Sequence, residues 1–318
     1  MLLFNLTTTM QYDLTIIGGG PAASAAAVYA ARKQLKTLLV TFEFGGQSIV
    51  SSDIQNWIGT PHISGADLGK NLKAHVMEYA GEFLTIKEGA LVSKITGSAG
   101  DFHVLTDKND DFHSKTVLIA SGSSRLKLVV PGAHQYENKG LTYCATCDGP
   151  LFADQDVIVV GGGNAAFETA AQLLAYCKSV TLINRSADFR ADEITVKQTM
   201  KNPKFKAITQ VEFVDVFGKD FVEGVTIKYS ADGREEKVMA TGIFVEIGQI
   251  PNSNFALNFV PTTGGGQIVI NPRTQATGVE GIWAAGDVTD VLYHQNNIAA
   301  GDAVRALEDI YIWLHRRG

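Results

Sequence analysis

The stretch Asp13-Leu-Thr-Ile-Ile-Gly-Gly-Gly-Pro-Ala-Ala23 decides the fold, because an apolar run leads directly into a glycine-rich turn. An alanine-rich segment of helical character follows to about Lys33, and a second apolar run covers Thr37 to Val40. A strand, a glycine turn, a helix and a second strand in this order are typical of the βαβ unit that binds dinucleotides.

The same order of segments returns later in the chain. Val157-Ile-Val-Val-Gly-Gly-Gly-Asn-Ala-Ala166 leads into a helical stretch through Tyr176 and an apolar run at Val180 to Ile183. The two turns are 143 residues apart, and the two second strands keep the same spacing. Two landmarks with one spacing indicate two βαβ units rather than two unrelated turns.

Each residue type in these turns has a physical role. The first glycine permits the tight turn, the third lets the backbone approach a pyrophosphate, and the last alanine lets the helix pack closely on the strand. The N-terminus of the helix offers N–H groups and positive dipole to phosphate. These residues are Gly18, Gly20 and Ala23 in the first copy and Gly161, Gly163 and Ala166 in the second. The sequence predicts an α/β fold with two Rossmann-like domains, one inserted into the other.

The composition of the 318-residue chain excludes several classes of protein. Apolar residues make up 45% and charged residues 19%, which is typical of a globular protein and not of a disordered chain. The net charge of −6 gives no reason to expect nucleic acid as a partner. The apolar runs are too short for a membrane helix, and residues 1–10 are too short and uncharged for a signal peptide. We therefore expect a cytoplasmic protein without a membrane partner.

Two further regions have readable patterns. Residues 204–245 contain short alternating runs separated by glycine turns, which predict antiparallel strands. A helix is predicted from about Asn297 to the C-terminus.

Cys144-Ala-Thr-Cys147 is the strongest chemical signal. A zinc site needs four ligands, and neither a second C-x-x-C nor a pair of suitably spaced histidines accompanies this motif, so we expect no metal. Two thiols at this spacing can form a redox disulfide. Asp148 fits equally well a turn or a proton carrier for the thiolate, and Cys177 is predicted to be buried and inert.

At these residues the chain resembles the low-molecular-weight thioredoxin reductase family and its relative, the flavoprotein core of alkyl hydroperoxide reductase. The resemblance covers nearly the whole chain. It rests on Gly18-Gly-Gly-Pro-Ala-Ala23, Gly45-Gly-Gln47, Asn56, Tyr143-Cys-Ala-Thr-Cys-Asp148, Gly161-Gly-Gly-Asn-Ala-Ala166, Gly281-Ile-Trp-Ala-Ala-Gly-Asp287 and Gln295.

The resemblance implies FAD on the first unit and a nicotinamide nucleotide on the second. The residues it assigns to FAD are Gly18, Gly20, Pro21, Ala22, Ala23, Glu43, Gly46, Gln47, Asn56, Gly122, Gly286, Asp287, His294, Gln295 and Asn296. Those it assigns to the nucleotide are Gly161, Gly163, Asn164, Ala165, Arg185 and Arg190. It further implies that Cys147 exchanges electrons with FAD, that Cys144 attacks the protein substrate, and that Asp148 is the acid–base residue.

The implied domains are a discontinuous FAD-binding domain, residues 1–124 and 249–318, and a nicotinamide-binding domain with the redox disulfide, residues 125–248. The implied assembly is a homodimer, and the implied partner is thioredoxin or a thioredoxin-like protein.

Some positions depart from the family's pattern. Thr41 stands where the first unit usually has an acid for the ribose, with Glu43 two residues later. His294 stands where thioredoxin reductases usually have arginine. In the second unit Asn184 replaces the ribose acid, which removes the feature that favours NADH.

Arg185 and Arg190 match two of the cations that grip the 2′-phosphate in NADPH-using members, whereas Asn184 and Ser186 replace two others. The prediction is NADPH. The alternative for both arginines is a solvated surface.

The predicted function is the transfer of two electrons from NADPH through FAD and the cysteine pair to a thioredoxin-like protein. Several alternatives remain open: a non-nicotinamide donor such as ferredoxin or a second flavin, a dithiol oxidase, a reductase of a peroxiredoxin system, and a non-catalytic flavin redox sensor.

Overall fold

Two sheets, each built around one glycine turn, dominate the computed structural model, which describes residues 11–51 and 54–316. The first part of the chain forms β1 (Gln11–Ile17), α1 (Pro21–Arg32), β2 (Thr37–Thr41), α2 (Gly65–Met77), β3 (Leu84–Glu88), β4 (Val92–Ser98), β5 (Asp101–Thr106), β6 (Asp111–Ile119) and β7 (Ser123–Arg125).

The second part contains the other sheet and returns to the first. Its elements are β8 (Leu141–Thr142), α3 (Ala145–Asp148), β9 (Asp156–Val160), α4 (Asn164–Leu173), β10 (Ser179–Asn184), α5 (Glu193–Thr199), β11 (Phe205–Thr209), β12 (Val211–Gly218), β13 (Val222–Tyr229), β14 (Glu235–Met239), β15 (Gly242–Val245), β16 (Gln249–Pro251), β17 (Ile282–Ala284) and α6 (Asn296–Arg316).

The first sheet has the strand order β3-β2-β1-β6-β5-β4, and β17 also pairs with β6. Pairing is parallel among β1, β2, β3, β6 and β17, and antiparallel in the β4–β5–β6 extension. The alanines of α1 are buried in the core with Trp283 and Leu307, so their small side chains let this helix pack closely on its neighbours.

The second sheet has the order β11-β10-β9-β15-β8 and is parallel throughout. Its strands are apolar runs such as Val157–Val160, which are buried on both faces because helices and the β12–β14 sheet cover them. The separate sheet β12-β13-β14 is antiparallel.

The α/β fold with two Rossmann-like units is confirmed. Helices α1 and α4 begin 143 residues apart, so the spacing read from the sequence is kept in the structure. The expectation of antiparallel strands across residues 204–245 is wrong at both ends of that range. β11 and β15 join the parallel sheet because each follows a crossover that returns the chain in the direction of β9 and β10.

The contacts within the described residues separate the chain into two units. One contains residues 11–49, Ser64–Ser124 and 250–316, and the other contains residues 50–51, 54–63 and Arg125–Gln249. The short segment 54–63 therefore groups with the unit that carries the second glycine turn. Within the described residues, no helix has both the length and the apolar character needed to cross a membrane.

Candidate dinucleotide and disulfide sites

The first glycine turn connects β1 to α1. Gly18 has φ +131°, in the region that favours glycine, and a side chain there would overlap the carbonyl oxygen of Ala120. Its N–H donates to the carbonyl of Val40 at 2.9 Å, which closes the turn against β2. Both the backbone conformation and the close approach require glycine.

The N-terminus of α1 is open to an anion. Gly20 is the N-cap and offers no side-chain hydrogen bond to the first turn of the helix, and Pro21 follows without an N–H of its own. A Cβ at Gly20 would meet one described neighbour within 4 Å, the Cα of Gly46 at 3.9 Å. Exposed N–H groups in front of a gap without side chains fit a pyrophosphate.

Two other segments assigned to FAD lie next to this turn. Gly45 donates its N–H to the carbonyl of Gly19 at 2.8 Å, which brings Gly46 against Gly20. The side chain of Gln47 donates to the backbone carbonyl and hydroxyl of Ser123. The fold thus places the Gly45–Gln47 segment beside the first glycine turn.

The C-terminal part of the chain meets the same place. Gly286 has φ +75°, and a side chain there would lie 3.1 Å from Ala299 and 3.4 Å from Ala22, at the start of α1. Asn296 accepts a hydrogen bond from Ser48 Oγ at 2.8 Å.

His294 lies in the loop before α6, followed by Gln295, and Asp287 lies in the loop after β17. Within the described residues, the buried Nε2 atom of His294 has no hydrogen-bond partner. A buried ring nitrogen without a partner next to this turn fits a bound polar group such as the edge of a flavin. On these observations the residues of the first unit fit FAD.

Three residues assigned to FAD stand apart from this cluster of contacts. Glu43 is exposed, and its backbone carbonyl accepts a hydrogen bond from the Thr41 hydroxyl at 2.7 Å. Gly122 has φ +67° and accepts from Asn252 N at 2.9 Å. Asn56 lies in the segment that groups with the other unit, so its assignment to FAD stays a prediction.

The second glycine turn repeats the first with more open space. Gly161 has φ +141°, and a side chain there would overlap the carbonyl oxygen of Glu246. Gly163 is the N-cap of α4 without a side-chain hydrogen bond, and a Cβ there would meet nothing described within 4 Å. Ala165 is exposed, and Asn164 Oδ1 accepts from the N–H of Asp192 at 2.8 Å. The turn fits the pyrophosphate of a second dinucleotide.

The loop after β10 closes over this turn. The side-chain amide of the buried Asn184 donates to the carbonyls of Ser186 at 3.0 Å and Asp188 at 3.1 Å. The backbone N–H of Arg190 donates to the carbonyl of Gly162 at 2.8 Å. The side chains of Arg185 and Arg190 are both exposed, so this loop presents two cations beside the turn.

The cysteine pair lies after β8 in the same unit. Cys144 and Cys147 form a disulfide with their Cα atoms 5.3 Å apart, and both are partly buried. Cys144 is the N-cap of α3, and its sulfur accepts a hydrogen bond from the N–H of Cys147 at 3.2 Å. The buried Asp148 ends α3 and accepts a hydrogen bond from the hydroxyl of Thr142. The disulfide and a carboxyl group are thus held within a few residues of one strand end.

The sheet order arranges these features along one edge. In a parallel sheet the carboxyl ends of all strands meet at the same edge. Following β10, β9, β15 and β8 along that edge gives the arginine loop, the glycine turn, Glu246 and the disulfide in turn. Nucleotide-binding features and the redox pair therefore belong to one continuous edge of the second sheet.

Sequence reasoning passed over Glu246. This side chain is partly buried, accepts a hydrogen bond from Thr169 Oγ1 at 3.0 Å, and has its pKa raised to about 7 because burial disfavours its charge. The charge of Arg125 acts in the opposite direction. An acid directly after the apolar strand Gly242–Val245 was the signal that could have drawn attention to it.

Cys177 is buried, as predicted. Its thiol donates to the carbonyl of Phe152 at 3.2 Å, and burial raises its pKa to about 11. It stays a thiol at neutral pH, and thiols are poor nucleophiles.

Histidines that are distant in sequence meet on the first sheet. His103 on β5 lies opposite His113 on β6, with the ring centroids 4.0 Å apart, and Asp111 and Asp101 accept from their Nδ1 atoms at 3.1 Å and 3.4 Å. Spacing along the sequence could not reveal this pair, since it depends on strand register. The ligand atoms of Asp101, His103 and His113 lie within 4.8 Å of one another.

Comparison with known proteins agrees with this geometry. The family described as pyridine nucleotide-disulphide oxidoreductase matches residues 12–303. A protein of Staphylococcus epidermidis that belongs to alkyl hydroperoxide reductase is 36% identical over 305 residues, which are 96% of this chain and 59% of that protein. A protein of Bacillus subtilis named NADH dehydrogenase is 33% identical over 305 residues, again 96% of this chain and 59% of the relative. The chain thus spans about three-fifths of the length of these relatives.

Among solved structures, thioredoxin reductase from Streptococcus pyogenes superposes with a TM-score of 0.88 at 33% identity, and the match covers 96% of this chain and 99% of that one. The family match over most of the chain and the likeness to a whole thioredoxin reductase point the same way. The chain belongs to the pyridine nucleotide-disulphide oxidoreductase family, whose thioredoxin reductase-like members are disulfide oxidoreductases that use FAD and NAD(P)H.

Proposed function

We propose that the protein is an FAD-dependent reductase that passes two electrons from NADPH to the disulfide of a thioredoxin-like protein. The observation that carries the proposal is the Cys144–Cys147 disulfide, with the buried Asp148 beside it, on the same sheet edge as the second glycine turn. A purely structural disulfide gives no reason for this edge, whereas a redox disulfide is expected on the domain that handles the electron donor.

The two glycine turns divide the cofactors between them in this proposal. FAD belongs to the domain of residues 1–124 and 249–318, and the nicotinamide nucleotide belongs to residues 125–248. The contacts around Gly20, Gly46 and Gln47 support the first assignment, and the open N-cap Gly163 supports the second. When bound, FAD supplies a carrier that accepts two electrons from the reduced nucleotide and passes them to the disulfide.

The reduced cysteine pair then performs a thiol–disulfide exchange. The thiolate of Cys144 attacks one sulfur of the substrate disulfide, which forms a mixed disulfide and releases one substrate thiolate. The thiolate of Cys147 attacks the Cys144 sulfur, re-forms the internal disulfide and releases the second substrate thiolate. The substrate gains two electrons, and the cysteine pair loses two.

Local contacts suit Cys144 to the role of nucleophile. The N–H of Cys147 points at the Cys144 sulfur at 3.2 Å, so this donor stabilises negative charge on that atom once the disulfide is open. The Thr142 hydroxyl connects Cys144 to Asp148, because it donates to the buried carboxylate and accepts from the N–H of Cys144 at 3.3 Å. In this proposal Asp148 transfers the proton that the departing thiolate needs.

The choice of electron donor depends on the loop after β10. The exposed cations Arg185 and Arg190 beside the second turn support NADPH, because guanidinium groups bind phosphate bidentately. NADH is the second candidate, since a relative over nearly the whole chain is named NADH dehydrogenase. In that case both arginines are ordinary surface charges.

The substrate also has a second candidate. The relatives from alkyl hydroperoxide reductase favour a thioredoxin-like carrier that serves a peroxide-reducing system. Both substrates present the same chemistry to Cys144, a disulfide on a small carrier protein. A cytoplasmic homodimer belongs to the proposal on the strength of the resemblance alone.

The test is the reduction of a thioredoxin disulfide by the FAD-loaded protein under NADPH, followed by the oxidation of NADPH. We expect turnover by the native protein and none by Cys144→Ser. Repeating the assay with NADH, and with the thioredoxin-like domain of an alkyl hydroperoxide reductase as acceptor, ranks the donors and the substrates. Absence of turnover with every carrier and donor contradicts the proposed function.

A further inference from the structure

Glu246 occupies the point where the second sheet changes its winding direction. The strand order β11-β10-β9-β15 runs one way as far as β9 and then jumps to β15. Glu246 follows β15 directly, and its backbone N–H donates to the carbonyl of Val160, the last residue of β9, at 2.8 Å. Dinucleotides bind across this reversal point, outside the carboxyl ends of the strands.

The direction of a bound dinucleotide follows from the charges on either side of β9. Arg185 and Arg190 lie in the loop after β10, on one side of β9, and suit the phosphorylated adenosine half. The open N-cap Gly163 suits the pyrophosphate in the middle. The nicotinamide half then extends to the β15 side, where Glu246 lies.

The surroundings of Glu246 hold its carboxyl group between two charge states. Its pKa is raised to about 7, first because burial disfavours the carboxylate and also because Glu168 on α4 adds negative charge. The charge of Arg125 on β7 and the hydrogen bond from Thr169 Oγ1 on α4 both favour the carboxylate. At neutral pH a modest change in nearby charge is therefore enough to move the proton.

We propose that the Glu246 carboxyl faces the nicotinamide ring and that its ionised form favours the oxidised nucleotide over the reduced one. This rests on the proposed function to the extent that the second unit binds a nicotinamide nucleotide. The oxidised ring carries a positive charge and the reduced ring is neutral, so a carboxylate stabilises the first and has little effect on the second. A protonated carboxyl makes no such distinction.

Binding and protonation are then linked in a defined direction. The positive ring stabilises the carboxylate, so binding of the oxidised nucleotide lowers the pKa of Glu246 and releases a proton near neutral pH. The affinity for the oxidised nucleotide rises as the pH rises through the range of this pKa. The reduced form shows no such rise.

The experiment measures equilibrium binding to the oxidised, FAD-loaded protein by calorimetry between pH 6 and pH 8. The probes are NADP⁺ and tetrahydro-NADP, which has a neutral ring and cannot transfer hydride, so no turnover is involved. For the native protein we expect the affinity for NADP⁺, relative to that for tetrahydro-NADP, to rise about fivefold across this range. Binding of NADP⁺ in buffers of different ionisation enthalpy should report proton release.

Glu246→Gln keeps the shape and hydrogen-bonding capacity of the side chain and removes its charge. We expect this variant to bind both probes with a ratio that no longer depends on pH. Glu168→Gln is the matched control, since it removes an exposed carboxylate one residue from Thr169 and should keep a pH dependence close to the native one. Thr169→Val, which removes a hydrogen bond that lowers the Glu246 pKa, should shift the pH dependence to higher pH.

The outcomes separate this inference from the proposed function. A pH-dependent ratio in Glu246→Gln equal to the native one overturns the inference and leaves nucleotide binding intact. A Thr169→Val protein with an unshifted pH dependence also overturns it, even where Glu246→Gln does not fold. If neither probe binds the native protein, the inference and the proposed nicotinamide site fall together.

Discussion

The two glycine turns share their backbone and differ in what surrounds them. Gly18 and Gly161 both have φ in the positive region, and both contact the carbonyl of a residue that follows a neighbouring strand. Gly20 and Gly163 are both N-caps that leave the first turn of the helix without a side-chain cap. These shared features serve the one group that all dinucleotides have in common, the pyrophosphate.

The differences lie where one dinucleotide differs from another. After β2, Thr41 fixes its own loop through the carbonyl of Glu43, and the loop, residues 42–47, contains no lysine or arginine. After β10, Asn184 fixes its loop in the same manner through Ser186, and the loop carries Arg185 and Arg190. The comparison teaches that one turn design is kept for phosphate while the loop after the second strand is free to select the cofactor.

The largest expected effect comes from closing each turn in its own variant. Gly20→Val and Gly163→Val both have backbone angles that valine can adopt, with φ −80° and −97°, so both proteins should fold. We expect Gly20→Val to be purified without FAD, and Gly163→Val to retain FAD but bind NADPH at least about tenfold more weakly. Absorbance of the purified protein and NADPH titration measure the two effects. Loss of FAD from Gly163→Val would contradict the division of the cofactors.

The cysteines of the second unit give the next effect. We expect Cys147→Ser to abolish reduction of thioredoxin while NADPH still reduces the bound FAD, because the only change is in the path out of FAD. Cys177→Ala is the matched control, with turnover near the native value and a loss of about 1 kcal/mol in the free energy of unfolding. Stopped-flow absorbance and urea unfolding provide the measurements. Native turnover by Cys147→Ser would show that the electrons leave by another route.

The arginine loop should produce a smaller, selective effect. Removing one charged hydrogen bond to a phosphate costs about 1.5–3 kcal/mol, so we expect Arg185→Ala to bind NADPH about tenfold more weakly and NADH nearly unchanged. Lys197→Ala removes a positive charge from α5 in the same unit, where Lys197 pairs with Glu193 at 3.1 Å, and should change neither affinity. Equal losses for NADPH and NADH in Arg185→Ala would remove the 2′-phosphate from the account.

The two loop-fixing side chains should give the smallest effects. Asn184 donates to two carbonyls, and an aspartate cannot replace these donors, so we expect Asn184→Asp to lower the free energy of unfolding by about 1–3 kcal/mol. Thr41→Val loses one such bond and should cost about 1 kcal/mol. Urea unfolding of both variants tests the order. A more stable Asn184→Asp protein would mean that the amide does not hold the loop.

Much of this comparison could be predicted from the sequence, since it depends on local patterns. Strand, turn and helix within one unit lie close together in the chain, and the equal spacing between the two copies excluded chance. The C-x-x-C motif likewise brings its two thiols together by local geometry alone.

What the sequence did not reveal depends on neighbours that are distant in the chain. The state of Glu246 depends on Thr169 and Arg125, which lie on other elements and lower its pKa against the effect of burial. The pairing of His103 with His113 depends on the register of β5 and β6. The parallel pairing of β11 depends on the path of the chain between strands. Periodicity contains none of this information.

The central claim is that the cofactor of the first turn and the disulfide of the second unit exchange electrons. Anaerobic titration of the FAD-loaded protein with NADPH tests it most directly, because each equivalent delivers two electrons. The account predicts that the native protein takes up about two equivalents per FAD, one for FAD and one for the Cys144–Cys147 disulfide, and that Cys147→Ser takes up about one. Uptake of one equivalent by the native protein, with both cysteines still oxidised at the end, would contradict the account.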